Sequence, residues 1–232
     1  MSRPEPPSPQ DRAFLTKHPD RGNLILVRHG QQEWPDRTSS SARDWINPPL
    51  SALGRRQATA VGLYLAPESV DAVYSSHLLR AHDTGIAISS QHKLEVEVLS
   101  DLAEVGIFEQ IPEGKRASDI IGEKALLGVQ ERFVQTKRWD AYPHSETSTD
   151  FRRRVGFAIE GILASHQGET VVVACHGGVI NAYLSELLGI AADMFFRPSH
   201  ASVHRLTFAD GHRIVERLNE DLFLVEQGIR TQ

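Results

Sequence analysis

Leu24-Ile25-Leu26-Val27-Arg28-His29-Gly30 is a short apolar run that ends abruptly in charge. Four consecutive apolar residues leave no polar face for water. The run therefore predicts a strand buried on both sides, as in the middle of a parallel sheet. The same pattern returns downstream. Asp71-Ala72-Val73-Tyr74 leads into Ser75-Ser76, and Thr170-Val171-Val172-Val173-Ala174-Cys175 leads into His176-Gly177-Gly178. Residues 95–99 (EVEVL) alternate, which predicts a strand nearer a sheet edge.

Helical patterns fall between these runs. Ser51 reads as an N-cap for a helix carrying Leu53, Val61, Tyr64 and Leu65 and stopped by Pro67. A second helix runs through Leu78, Leu79, Ala81, Ile86 and Ile88. A third, over 149–166, carries Phe151, Val155, Ile159, Ile162 and Leu163. The fourth follows His176-Gly177-Gly178 and closes at Gly189 as its C-cap. Residues 202–208 and 212–218 flank Asp210-Gly211, a hairpin signal. Strands alternating with helices predict an α/β three-layer sandwich. Its central sheet is mostly parallel but mixed, is flanked by helices and gains an antiparallel edge from the hairpin.

Three stretches stand outside this pattern. Residues 1–22 hold five of the twelve prolines and read as a flexible N-terminal arm, leaving 23–232 as a single domain. Residues 31–49 are polar and proline-punctuated, a long loop. Residues 105–147 read as an insertion over the sheet with a helical stretch near 116–138.

Composition narrows the function classes. With 232 residues, 40% hydrophobic and 24% charged, the chain is long enough to bury a core without staples. The single cysteine, Cys175, excludes an intrachain disulfide and any CxxC motif. A net charge of −5 argues against nucleic-acid and membrane-surface partners, both of which need a basic face. The first residues, MSRPEPPSPQDR, hold no apolar core of a secretory signal, and no run approaches the ~18 apolar residues of a membrane span. A cytoplasmic location is expected.

In open α/β sheets ligands bind beyond the carboxyl ends of the strands. The residues expected there are Arg28 and His29, then Ser75, Ser76, His77 and Arg80, then Asp101 and Glu104, then His176, Gly177 and Gly178. Guanidiniums bind phosphate oxygens bidentately. The amides at Gly177-Gly178 open a helix N-terminus, a natural anion site. A neutral imidazole is a nucleophile toward phosphorus, and neighbouring arginines keep it neutral by like-charge repulsion. A carboxylic acid can protonate a leaving alcohol and then take a proton from water. Together these are the parts of a phosphoryl-transfer site that needs no metal and no cofactor.

The residues also carry a resemblance. Leu26-Val27-Arg28-His29-Gly30 resembles the RHG signature of the histidine phosphatase superfamily, the phosphoglycerate mutase-like proteins. Pro49-Leu50-Ser51-Ala52-Leu53-Gly54-Arg55-Arg56-Gln57-Ala58, Ser75-Ser76-His77-Leu78-Leu79-Arg80-Ala81, Leu102-Ala103-Glu104 and Cys175-His176-Gly177-Gly178 are similar to four further family segments, in order. Three letters are weak, but five ordered segments are specific. The resemblance implies a phosphoglycerate mutase-like sandwich and a phosphomonoester phosphatase acting on a small phosphorylated metabolite. It makes His29 the nucleophile that becomes phosphohistidine. Arg28 and Arg80 are the phosphate clamp, and Gly177 helps bind the phosphate. His176 stabilises the group in flight, and Glu104 is the general acid and base.

Alternatives remain open on the sequence. Glu109, in Ile107-Phe108-Glu109-Gln110, or Glu33, in the loop behind His29, could supply the acid instead. Gln31-Gln32-Glu33-Trp34-Pro35 lacks an asparagine that the family places there to contact phosphate. Cys175 ends an apolar strand and reads as a small buried hydrophobe. Among the other histidines only His200 is set apart, because the family places substrate-contacting groups in that late loop. Arg152-Arg153-Arg154 reads as a solvated helix end. The rival functions are a mutase, which returns the phosphoryl group to a second hydroxyl, and an inactive binding module of the same fold. Residues 105–147 lack the Arg-Arg-x-Tyr and proline segments of the mutases, which favours hydrolysis.

Overall fold

The structure is a computed structural model that describes residues 8–36 and 40–232. Its centre is one six-stranded sheet built from β1 (Gly22–Arg28), β2 (Ala72–Ser75), β3 (Val96–Val98), β4 (Thr170–Cys175), β5 (Val203–Ala209) and β6 (His212–Glu220). The strand order is β3-β2-β4-β1-β5-β6. The first four run parallel, while β5 pairs antiparallel with β1 and β6 with β5. The mixed sheet and its hairpin edge are the architecture the alternating pattern predicts. Asp210 and Gly211 both take positive φ, 46° and 78°, as a tight two-residue hairpin turn requires.

The apolar runs divide by parity between two cores. Leu24, Leu26, Val171 and Val173 point to one side. There they meet Phe151, Val155 and Ile159 of α6 (Ser148–Ser165) and Val179, Ile180 and Leu184 of α7 (Gly177–Leu188). Ile25, Val27, Val73 and Val172 point to the other side. Their partners are Val61 and Leu65 of α2 (Ala52–Leu65) and Ile88 of α3 (Leu79–His92). Phe151 is completely buried, and truncating such a side chain to alanine costs about 3–5 kcal/mol.

Local signals set the helix ends. Ser51 Oγ accepts from Gly54 N at the start of α2, and Gly189 closes α7 with φ 67°. Within 105–147 the helical stretch is two helices, α4 (Ala117–Ile121) and α5 (Glu123–Thr136), parted at Gly122 with φ 86°. A further helix, α8 (Leu222–Glu226), follows β6 and adds Leu224 to the α2/α3 core.

Residues 8–22, read from sequence as part of a solvated arm, carry structure. A capping box between Ser8 and Asp11 starts α1 (Pro9–Phe14), and Leu15 behind it is 1% exposed. The prolines mislead because Pro9 sits in the first turn, where its missing N–H costs nothing. Residues 1–7 of that arm lie outside the described residues. Among the described residues, no helix is long and apolar enough to cross a membrane.

Candidate active site

The parallel register aligns the carboxyl ends of three strands. Arg28 stands beside Cys175, and Ser75 beside Ala174. One residue further on, His29 N donates to Cys175 O at 2.9 Å, and Ser76 N to Ala174 O at 3.2 Å. His29 and His176 thus emerge side by side, with ring centroids 5.1 Å apart. Arg80 enters from the first turn of α3.

The His29 ring is 3% exposed and fixed in one tautomer. Its Nδ1–H donates to Gly30 O at 2.7 Å, which leaves the lone pair on Nε2. Arg80 Nε donates to that atom at 3.2 Å. Gly30 must be glycine, since a Cβ there would collide with the carbonyl of Gly54 in α2. Its amide donates to Thr84 Oγ1, which in turn donates to Arg80 O at 2.7 Å. One hydroxyl on α3 thereby ties the two site segments together.

Arg28 and Arg80 are cations without carboxylate partners within ion-pair distance among the described residues. Arg80 Nη1 donates to Ile46 O. Arg28 Nη1 donates to Pro198 O, and its Nη2 to His200 Nε2 at 3.1 Å. Burial pushes both guanidiniums down to about 10, so they stay charged at neutral pH. His29 and His176 are held well below the usual imidazole range, first by burial and then by these arginines. Both ring nitrogens of His176 and Nε of Arg28 are buried without a hydrogen-bond partner. Buried polar groups are normally satisfied, and here an oxyanion between the rings and guanidiniums would accept from Arg28 Nε and from the single N–H of neutral His176.

Glu104 reaches the same place from a short turn, Ser100–Leu102, after β3. Its carboxylate accepts from its neighbour Val105 N at 3.0 Å and from Gly178 N at 3.2 Å. That second amide is one of the free donors at the start of α7, whose N-cap, His176, offers no side-chain cap. A Cβ at Gly178 would overlap the Glu104 carboxylate, so a side chain there would push that carboxylate from its place. A Cβ at Gly177 would stand 3.5 Å from Arg28 Nε.

Arg28, His29, Arg80, Glu104, His176 and Gly177 are therefore brought together. The rival acids are placed differently. Glu109 and Glu33 are exposed, the Glu109 carboxylate lying against Gly106 and Glu33 beside Trp34 in a 350 Å³ depression of the 31–49 loop. Cys175 is fully buried, and burial raises its thiol above the usual range. A 780 Å³ depression outside α6 and α7, lined by Arg152, Phe157 and Tyr183, contains none of the site residues.

Sequence reasoning undervalued the supports. His200 is 3% exposed, lies with its ring tilted 5.8 Å from that of His29 and donates from Nδ1 to Thr231 Oγ1 at 2.9 Å. Gln57, quoted only as a motif letter, accepts from Gln31 N and donates to Ile229 O and Thr231 Oγ1, linking loop and C-terminal segment. Arg152 and Arg154, read as solvated, are 12% and 22% exposed. The signal for them was available: neighbours on a helix point about 100° apart, so three consecutive arginines cannot share one solvated face.

A sheet whose strand ends gather buried imidazoles and unpaired guanidiniums suits an enzyme class that handles phosphate. Sequence comparison assigns the chain within it: residues 24–221 match the model of the histidine phosphatase superfamily (branch 1), and the protein belongs to that family. Phosphoserine phosphatase 1 of Hydrogenobacter thermophilus is 29% identical over 205 residues, covering 84% of this chain and 91% of that one. A 2,3-bisphosphoglycerate-dependent phosphoglycerate mutase of Chelativorans sp. is 27% identical over 208 residues, covering 86% and 94%. Among solved structures, a mycobacterial glucosyl-3-phosphoglycerate phosphatase superposes with a TM-score of 0.69 at 23% identity, covering 86% of this chain and 99% of that one. That last likeness speaks for the fold alone.

Proposed function

We propose that the protein is a phosphomonoester phosphatase that works through a covalent phosphohistidine on His29. One observation carries the reading: His29 Nε2 holds its lone pair beside a buried guanidinium that has no carboxylate partner. Nε2 attacks phosphorus as the bond to the leaving oxygen breaks, and protonated Glu104 gives that oxygen its proton. Arg28, Arg80 and the single N–H of neutral His176 take the phosphoryl oxygens, and the Gly177-Gly178 amides add to the same field. Glu104, now a carboxylate, accepts a proton from water. The water oxygen bonds to phosphorus, the P–N bond breaks, and inorganic phosphate leaves with His29 restored. Every step draws on this chain's side chains and water.

The substrate is a small phosphorylated metabolite of the cytoplasm. The phosphoserine phosphatase relative supports hydrolysis, and the mutase relative supports the same first half-reaction. A phosphomonoester panel should therefore start with phosphoserine and phosphoglycerate. The test is to trap the enzyme with a ³²P-labelled phosphomonoester. The expected adduct survives alkali, breaks in acid and is absent from His29→Ala. An acid-stable adduct, or label retained in that variant, overturns the reading. Phosphoglycerate mutase activity stimulated by bisphosphoglycerate, exceeding phosphate release, would replace hydrolysis by transfer.

A further inference from the structure

The proton donor of this mechanism stands on irregular backbone, and a side chain on such a segment is only as well placed as the groups that hold the segment. The carbonyls around Glu104 converge on one guanidinium. Arg154 Nη1 donates to Asp101 O and Ala103 O, both at 2.8 Å, and Nη2 donates to Glu104 O at 3.2 Å. Its remaining donors, Nε and the second N–H of Nη2, go to the two oxygens of Glu146, both at 2.7 Å. All five N–H donors of the guanidinium are thus spent, three of them on the backbone that carries Glu104. The plane of the group lies over the Phe151 ring, 4.8 Å from its centroid, and Phe151 is wholly buried. The segment is pinned twice: its carbonyls by α6, and its carboxylate by the first turn of α7 through Gly178 N.

We propose that Arg154, held in place by Glu146, is a positioning residue that sets the reach of the Glu104 carboxylate toward the leaving oxygen. The inference rests on the reading of Glu104 as general acid and base. A lysine cannot reproduce it, since an ammonium offers three donors without the planar fork.

The test compares an alkyl phosphomonoester with p-nitrophenyl phosphate, whose leaving group needs little protonation. Wild type, Glu104→Gln, Arg154→Gln, Arg154→Lys and the Glu104→Gln/Arg154→Gln double variant are assayed on both esters. Displacing an acid by about an ångström costs about 100-fold, so Arg154→Gln should lose roughly that in kcat on the alkyl ester. It should lose less than about threefold on the aryl ester and leave both KM values nearly unchanged. Added to Glu104→Gln it should cost less than about twofold more. Equal losses on both esters, or full losses in the double variant, would mean that Arg154 merely staples α6 to the loop, and would overturn the proposal. A second readout needs no turnover. The amide NMR resonances of Val105 and Gly178 should shift in Arg154→Gln while those of β5 and β6 stay. Unmoved Val105 and Gly178 amides overturn the proposal. If Glu104→Gln itself shows no preference for the aryl ester, the acid assignment falls, and the amide shifts then decide whether Arg154 still places that carboxylate.

Discussion

Two groups of half-buried and buried arginines teach opposite lessons. At the strand ends Arg28 and Arg80 are desolvated and face imidazoles and carbonyls. Along α6, Arg152 and Arg154 are less enclosed, and each is neutralised by acidic partners. Arg152 binds Asp193 and Glu186, and Arg154 binds Glu146. A buried charge without a counter-ion costs free energy, and breaking a buried pair leaves such a charge behind. The paired set holds the helix to its loops. The unpaired set is suited to holding an anion for part of the working cycle.

Breaking the unpaired set gives the largest expected effect. Arg80→Ala should lower kcat/KM by about 10²–10³-fold, the scale of removing one oriented donor from a developing charge. Its thermal midpoint in phosphate-free buffer should stay level or rise, because a desolvated cation with no carboxylate in ion-pair contact is gone. Wild type should gain about 2.7 kcal/mol from inorganic phosphate at a hundredfold its Kd. The variant should lose most of that gain, measured by thermal shift with and without phosphate. A variant that unfolds easily and still responds to phosphate would put Arg80 in the structural set.

The paired set should answer in reverse. Arg152→Met leaves Asp193, 1% exposed, with only Trp139 N and Ser148 Oγ as partners. A loss of about 3 kcal/mol in urea unfolding is expected, with activity at 25 °C within about twofold of wild type. Activity that falls in step with Arg80→Ala would erase the distinction between the two sets.

The sequence showed one of these sets and hid the other. A strand buried on both faces writes itself as a continuous apolar run, and its polar end marks the rim, so Arg28, His29 and His176 could be located from spacing alone. Glu104 and Arg80 needed the family pattern, since a carboxylate after a short edge strand and an arginine on a helix have many ordinary explanations. The three-arginine run showed only that not all of its members face water; which groups Arg154 holds, and the role of Thr231, were not legible. The carbonyls that Arg154 holds lie 50 to 53 residues upstream, and the His200 and Gln57 side chains that donate to the Thr231 hydroxyl lie 31 and 174 residues away, contacts that composition cannot single out. Residues 105–147 hid for a related reason. Their aromatic cluster of Phe133, Trp139 and Tyr142 packs onto the α6 side of the sheet with no periodic stripe to announce it.

The rim also leaves a mark on the pH dependence of stability. His200 and His204 are pushed down to about 3, first by burial and then by Arg28, and His29 and His176 move in the same direction. Unfolded histidine titrates near 6.5. Between about 6.5 and 3 the unfolded chain therefore binds protons that the folded chain refuses, and stability must fall as pH drops through that window. Each such histidine contributes up to about 1.4 kcal/mol per pH unit, or about 2 kcal/mol between pH 6.5 and 5. His204 is the one to remove. It lies one step behind the site, accepting from Asn219 N and bonding Ser202 Oγ, whereas His29, His176 and His200 sit at the rim itself. Urea midpoints at pH 7.5 and 5.0, in phosphate-free buffer, should drop less for His204→Gln than for wild type. Inorganic sulfate, a dianion at both pH values, should shrink the wild-type drop as well, because its charge beside Arg28 and Arg80 offsets the repulsion that holds the imidazoles neutral. If sulfate leaves the acid slope untouched, the anion does not bind among these histidines, and the unpaired arginines need another explanation.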